Sequence, residues 1–165
     1  PEYQTLFGND LKKMTPHIPL VKDFKVFSEM GRRIAELQTT YENLEPFAFT
    51  SSNELKSGQK IRKMKLVKGV SNLEIHIDDV LKLKDVPISI LDYRCFGRSP
   101  LEWVIERYQV KSDSDSGIVN DPNDFSSQPD YVFNLLGRAV TLTLEMQNLL
   151  SSAPKFEFLN DERLS

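Results

Sequence analysis

The stretch Ile61–Lys84, IRKMKLVKGVSNLEIHIDDVLKLK, decides the fold. Apolar and polar residues alternate along most of it with a period of two, the pattern of strands that bury one face. Leu73, Ile75 and Ile77 alternate with Glu74, His76 and Asp78, and Leu81 and Leu83 alternate with Lys82 and Lys84. Ile61–Val67 alternates less cleanly: Arg62, Met64 and Leu66 fall on one face, Ile61, Lys63, Lys65 and Val67 on the other. Gly58 and Gly69-Val70-Ser71 supply turns. The stretch predicts a small antiparallel sheet in the middle of the chain.

On either side of it the period becomes helical. Upstream, Phe27, Met30, Ile34, Leu37, Tyr41 and Leu44 recur every three or four residues behind Asp23 as N-cap, and Glu45-Pro46 closes that helix. Gly31 sits on the stripe, which suggests close packing against another element. Glu2–Met14 reads as a short helix, followed by an extended connector at His17-Ile18-Pro19. Downstream, Val86–Phe96 reads as helical or irregular. Ser99-Pro100-Leu101-Glu102 then forms a capping box with proline at the first helical position. That helix presents Leu101, Val104, Ile105 and Tyr108. Lys111–Phe125 is a polar loop. The last helix, from about Gln128 to Leu150, is apolar over most of its circumference and is expected in the core, with Leu142 and Trp103 packed there. The fold class is therefore α+β, a central antiparallel sheet packed by helices from both ends of the chain. Residues 1–150 are expected to form one domain and 151–165 a mobile tail.

With 165 residues, the chain has the length of one ordinary domain. No apolar run approaches the ~20 residues that cross a bilayer. No secretory signal is visible, and a single cysteine, Cys95, cannot form an internal disulfide; both point to the cytoplasm. The start at Pro1 suggests a fragment of a longer protein. Nucleotide-binding glycine loops and the nucleophile elbow are absent from the sequence. His17, His76 and Cys95 are isolated from one another, so neither catalytic nor metal-ligating residues are expected. Asp78-Asp79 and the loop acids Asp113, Asp115, Asp121 and Asp124 could supply oxygen ligands to a nuclease metal. Asx side chains bonding their own turn backbone account better for the Asn120–Asp124 run.

The charge is split along the chain. Residues 1–68 carry +4 and residues 69–165 carry −7. The sharpest local feature is Lys56, Lys60, Arg62, Lys63, Lys65 and Lys68, six basic residues with no acid among them. Such a cluster beside strands suits phosphate binding, where each neutralised phosphate releases counterions. A lysine-protected sheet edge accounts for it equally well. If the cluster meets DNA, the lysines suit phosphates, and the planar fork of Arg62 suits a guanine edge.

Three stretches carry a family resemblance: Ile18–Pro46, Phe96–Phe125 (FGRSPLEWVIERYQVKSDSDSGIVNDPNDF) and Tyr131–Leu150. Together they make up close to half of the chain. They resemble the C-terminal specificity (target-recognition) region of Type ISP restriction–modification enzymes, long single chains also known as predicted helicases. Phe125 stands where a tryptophan is common in that family, and Pro100 where a small residue is. The resemblance implies a parent that is an ATP-dependent restriction endonuclease and adenine methyltransferase using S-adenosylmethionine, ATP and Mg. This piece is expected to hold no cofactor and no activity of its own. Its partners would be double-stranded DNA and the methyltransferase and translocase domains of the same polypeptide, with no membrane. Its task would be reading the DNA site and positioning the methyltransferase, with target-specific contacts in Phe47–Asp92. The alternative is an architectural docking module of the same enzyme that touches no bases.

Overall fold

The computed structural model of the protein describes residues 20–54 and 56–155, together with positions 5, 8 and 157. The expected Glu2–Met14 helix and the connector after it lie outside the described residues. The chain divides into two compact units, Pro1–Ala35 with Leu149–Ser165, and Glu36–Asn148.

The smaller unit holds most of the first helix, α1 (Phe24–Thr39). Val21 is buried there, and Lys22 meets Glu157 through a backbone hydrogen bond of 2.8 Å and a side-chain ion pair of 3.4 Å. α1 carries the first part of the predicted stripe, with Phe27, Met30 and Ile34 half-buried and Leu37 buried, but it ends at Thr39, and Tyr41 lies in a separate 3-10 turn, Tyr41–Asn43, ahead of Leu44. Gly31 differs from expectation. It is exposed, and a Cβ built on it meets nothing within 4 Å, so no close approach requires it.

The larger unit is built on a four-stranded antiparallel sheet. Its strands are β1 (Thr50–Ser51), β2 (Met64–Lys68), β3 (Asn72–Ile77) and β4 (Leu81–Pro87), in the spatial order β1-β4-β3-β2. One face is dry: Leu73, Ile75, Ile77, Leu83 and Val86 are wholly buried and Leu81 nearly so. They pack with Leu101 of α2 (Pro100–Arg107) and with Val132, Leu135, Leu136 and Val140 of α3 (Tyr131–Ser151). Between those helices, β5 (Lys111–Ser112) and β6 (Val119–Asn120) form a two-stranded ribbon inside what the sequence suggests is only loop. The capping box at Ser99 forms as expected, with Ser99 Oγ accepting from Glu102 N and Glu102 accepting from Ser99 N. No helix among the described residues is long and apolar enough to cross a membrane.

Three local features shape the sheet. Asp78 and Asp79 both have positive φ, at 49° and 58°, giving the turn whose twist suits a hairpin between β3 and β4. Lys84 and Asp85 stand opposite the single residue Glu74, a bulge in which Asp85 takes φ 63°. β4 runs on through Val86-Pro87, which was expected to be helical or irregular. Pro87 closes the strand, pairing with Asn72 in register.

Two aromatic or apolar positions sit nearer the surface than expected. Trp103 and Leu142 are half-buried and line an apolar cavity of about 330 Å³. An indole N–H needs an acceptor, and that of Trp103 donates to Cys95 O at 2.8 Å while Arg98 and Arg107 lie against the ring.

The glycines of α1 and α3 should respond to alanine with opposite signs. A Cβ on Gly137 would stand 2.8 Å from Pro46 Cβ and 3.0 Å from Phe47 N. Gly137→Ala should therefore destabilise by about 1–3 kcal/mol through overpacking. Gly31→Ala should stabilise by up to about 1 kcal/mol, the ordinary helix-propensity gain. Thermal melting of the two single variants checks both signs.

Candidate nucleic-acid interface

The basic cluster does not form one regular strand. Ile61 and Met64 are both buried, whereas Arg62 and Lys63 between them are both exposed, so the alternation expected across Ile61–Val67 fails ahead of β2. The cause is a set of clamps from distant parts of the chain. Asn123 Oδ1 accepts from Ile61 N at 2.8 Å, and Asn123 Nδ2 donates to Ile61 O at 2.8 Å. The Asp78 carboxylate accepts from Lys63 N at 2.7 Å and from Arg62 N at 3.1 Å. Val110 N donates to Arg62 O at 3.0 Å. These bonds replace a sheet partner and set the backbone at a pitch of three rather than two. The Asp78 carboxylate is thus a backbone acceptor.

Each cluster member has its own setting. Lys56 is exposed beside an open depression that Asn53, Glu54, Gln59, Val80 and Leu81 also line. The turn after it is pinned by Asp130, which accepts from Ser57 Oγ and Gly58 N, each at 2.9 Å. Lys60 is held by two acids, Asp124 at 3.2 Å and Asp121 at 3.5 Å, and its ammonium is stabilised by the hydrogen bond to Asp124 first and by both charges besides. Arg62 and Lys63 are exposed on the clamped segment. Lys65 and Lys68 are exposed on β2, an edge strand, and alternation places them on opposite faces of the sheet. Among the described residues, Lys60 alone of the six forms an ion pair.

The sheet also brings together basic residues that the charge run leaves out. Lys65 stands opposite His76, and His76 opposite Lys82. Lys84 stands opposite Thr50 one row further on. All of these point away from the dry face. The alternation of Lys82 and Lys84 with Leu81 and Leu83 is the sequence signal that could have found them. The one carboxylate of β3, Glu74, takes a 2.9 Å hydrogen bond from His76 Nε2. That bond, with Lys84 and Lys82 near, holds the Glu74 carboxyl below its ordinary pKa.

The acidic loop is pinned by local bonds. Asp121 accepts from Asn123 N at 2.9 Å and from Asn123 Nδ2, and Asp113 accepts from Ser116 N, Ser116 Oγ and Asp115 N. Among the described residues, no three His, Cys, Asp or Glu side chains converge as metal ligands would.

A family model described as the Type ISP C-terminal specificity domain matches residues 1–135. The chain is similar to a nuclease-deletion mutant of the Type ISP restriction–modification enzyme LlaGI, solved in complex with a DNA substrate mimic, at 35% identity and a TM-score of 0.83, over 95% of this chain. It is similar to the ATP-dependent Type ISP restriction–modification enzyme LlaBIII bound to DNA, at 32% identity and a TM-score of 0.83, also over 95% of this chain. The DrdV–DNA complex shares the fold at 21% identity and a TM-score of 0.74, over 96% of this chain. The chain spans 13%, 11% and 17% of those three chains. No curated protein matches it.

Two measurements test the clamps. Asn123→Ala orphans Ile61 N–H and C=O and should cost about 1–3 kcal/mol in denaturant unfolding. The Asp113 and Asp121 carboxyls are held below the ordinary 3.8, Asp113 by the Ser116 amide first and Asp121 by the Asn123 side chain first. A depressed folded-state pKa stabilises above the unfolded value and ceases to do so as pH falls through the folded one. Carbon-13 carboxyl titration should therefore show both groups titrating below 3.8, with stability declining in that acid range.

Proposed function

The chain belongs to the Type ISP C-terminal specificity domain family, and from that membership we propose that it reads the DNA target of a larger restriction–modification enzyme. Reading the site would place that enzyme's adenine methyltransferase over its base. Catalysis, S-adenosylmethionine, ATP and Mg would belong to other parts of the polypeptide. The observation that carries the proposal is the exposure of Lys56, Arg62 and Lys63 on a segment clamped by Asn123, Asp78 and Asp130, and of Lys65 and Lys68 on β2, with no described carboxylate paired to any of the five. Cations held in place but left unpaired suit phosphates. Lys60, spent on Asp121 and Asp124, serves to dock the acidic loop onto the basic segment.

The relatives support this reading, since LlaGI and LlaBIII were both solved with DNA or its mimic. Within the cluster the roles divide. Lysines at phosphates set affinity for every sequence alike, while a guanidinium at a base edge sets preference. Arg62 is exposed just ahead of β2, with its backbone held by Asp78, which leaves its side chain free to present a planar fork.

Salt-titrated binding of the intact enzyme to cognate and scrambled duplexes tests the division. Lys63→Ala with Lys65→Ala should weaken both duplexes equally and flatten the salt slope by about two. Arg62→Ala should cost about 1–3 kcal/mol on the cognate duplex and relax preference at one base pair. Normal binding and methylation by a variant carrying all three changes would refute the proposal and leave a docking module as the better account.

A further inference from the structure

The outer face of the sheet offers something the Lys56–Lys68 run does not, a continuous basic row. Lys65, His76 and Lys82 are direct cross-strand neighbours on β2, β3 and β4. Ser52 extends the row beyond β4, donating its amide to Lys82 O at 2.9 Å and accepting from Lys82 N at 3.0 Å through Oγ. Lys84 lies in the next row beside Thr50. We propose that this sheet face, through Lys65, Lys82 and Lys84, grips the phosphates of double-stranded DNA. The proposal rests on the DNA reading above and adds Lys82 and Lys84 to it.

The row sets a lysine on each side of His76, and the one carboxylate of β3, Glu74, lies opposite Lys84 in the next row and is tied to the histidine ring at 2.9 Å. Lys65 and Lys82 are exposed, and His76 and Lys84 half-exposed, so water or a ligand reaches them. The opposite side chains of β3 and β4 are wholly or almost wholly buried, which fixes the backbone beneath the row and thus the spacing of its cations.

That spacing suits duplex DNA. Lys65 and Lys82 stand two strand separations apart, about 10 Å, against a major groove about 12 Å wide. Flexible lysine stems make up the difference and deliver point charges, which suits phosphate rather than base recognition. Asp78 and Asp79 at the β3–β4 turn put carboxylates at one end of the face, so the duplex should lie across the strands rather than past that turn.

The test compares intact enzyme carrying Lys82→Gln and Lys84→Gln with the wild type. Lys111→Gln, a change on exposed β5, serves as the control for loss of charge. Affinity of the double variant for cognate and scrambled duplexes should fall by the same factor, about tenfold or more at moderate salt, and the salt slope should shallow by about two. Its melting temperature checks that the fold survives the change. An unchanged slope beside an unchanged control would overturn the proposal, and so would a loss confined to the cognate duplex. Should the double variant melt early, Lys82→Arg with Lys84→Arg, which keeps the charge, must restore binding if the face holds phosphates; failure to restore it also overturns the proposal. If the wild-type enzyme itself binds no duplex, the DNA reading falls. If the wild type binds and the glutamine variant binds as well, only the face assignment does.

Discussion

The burial of one face of a sheet is the constraint on which the rest depends. Leu73, Ile75 and Ile77 on β3 and Leu81, Leu83 and Val86 on β4 leave almost no surface to water. A slip of one residue would turn all of them outward and bring Glu74, His76, Lys82 and Lys84 into the core, where uncompensated charge is costly. The register is therefore held by the apolar side, and every outward side chain inherits its position from it. The bulge at Lys84-Asp85 keeps Val86 facing inward after the extra residue, so the dry face persists to the end of β4.

The clamps on the basic segment answer a second requirement. The segment ahead of β2 has no strand beside it, yet its amides and carbonyls still need partners. Asp130, Asn123 and Asp78, all from the acidic second part, supply them. Asp121 and Asp124 then take the Lys60 ammonium. The exposed pairs add little energy by themselves. The backbone bonds do more, because they hold a cation-bearing segment in one shape without covering its side chains.

Much of this was legible in the sequence, for reasons that also explain what was not. The strands of β3 and β4 and the helix at Ser99 could be read because period and capping are local. The lead-in to β2 could not, because Ile61 is placed by Asn123, far along the chain, and no local period reports that contact. Two-residue strands such as β5 and β6 are too short to show alternation at all. Pro87 closes a strand at a point beyond Lys84, where β1 no longer pairs with β4, so the strand is an edge there and tolerates its ring. Trp103 counted as core by residue type, but its N–H binds Cys95 O and two guanidiniums line its ring, which keeps it at the rim.

The candidate interface shows the same limit in another form. A run of like charges measures nearness along the chain, whereas a ligand meets nearness in space. In an antiparallel sheet the two diverge, since Lys65 has His76 and Lys82 as its neighbours while Lys68 faces the other side. The period of two that hides the grouping also separates two tasks. Inward positions fix the backbone, and outward positions are then open to change without disturbing the core. A surface that must meet a particular duplex gains from that separation, because altering an outward side chain leaves its neighbours' spacing intact.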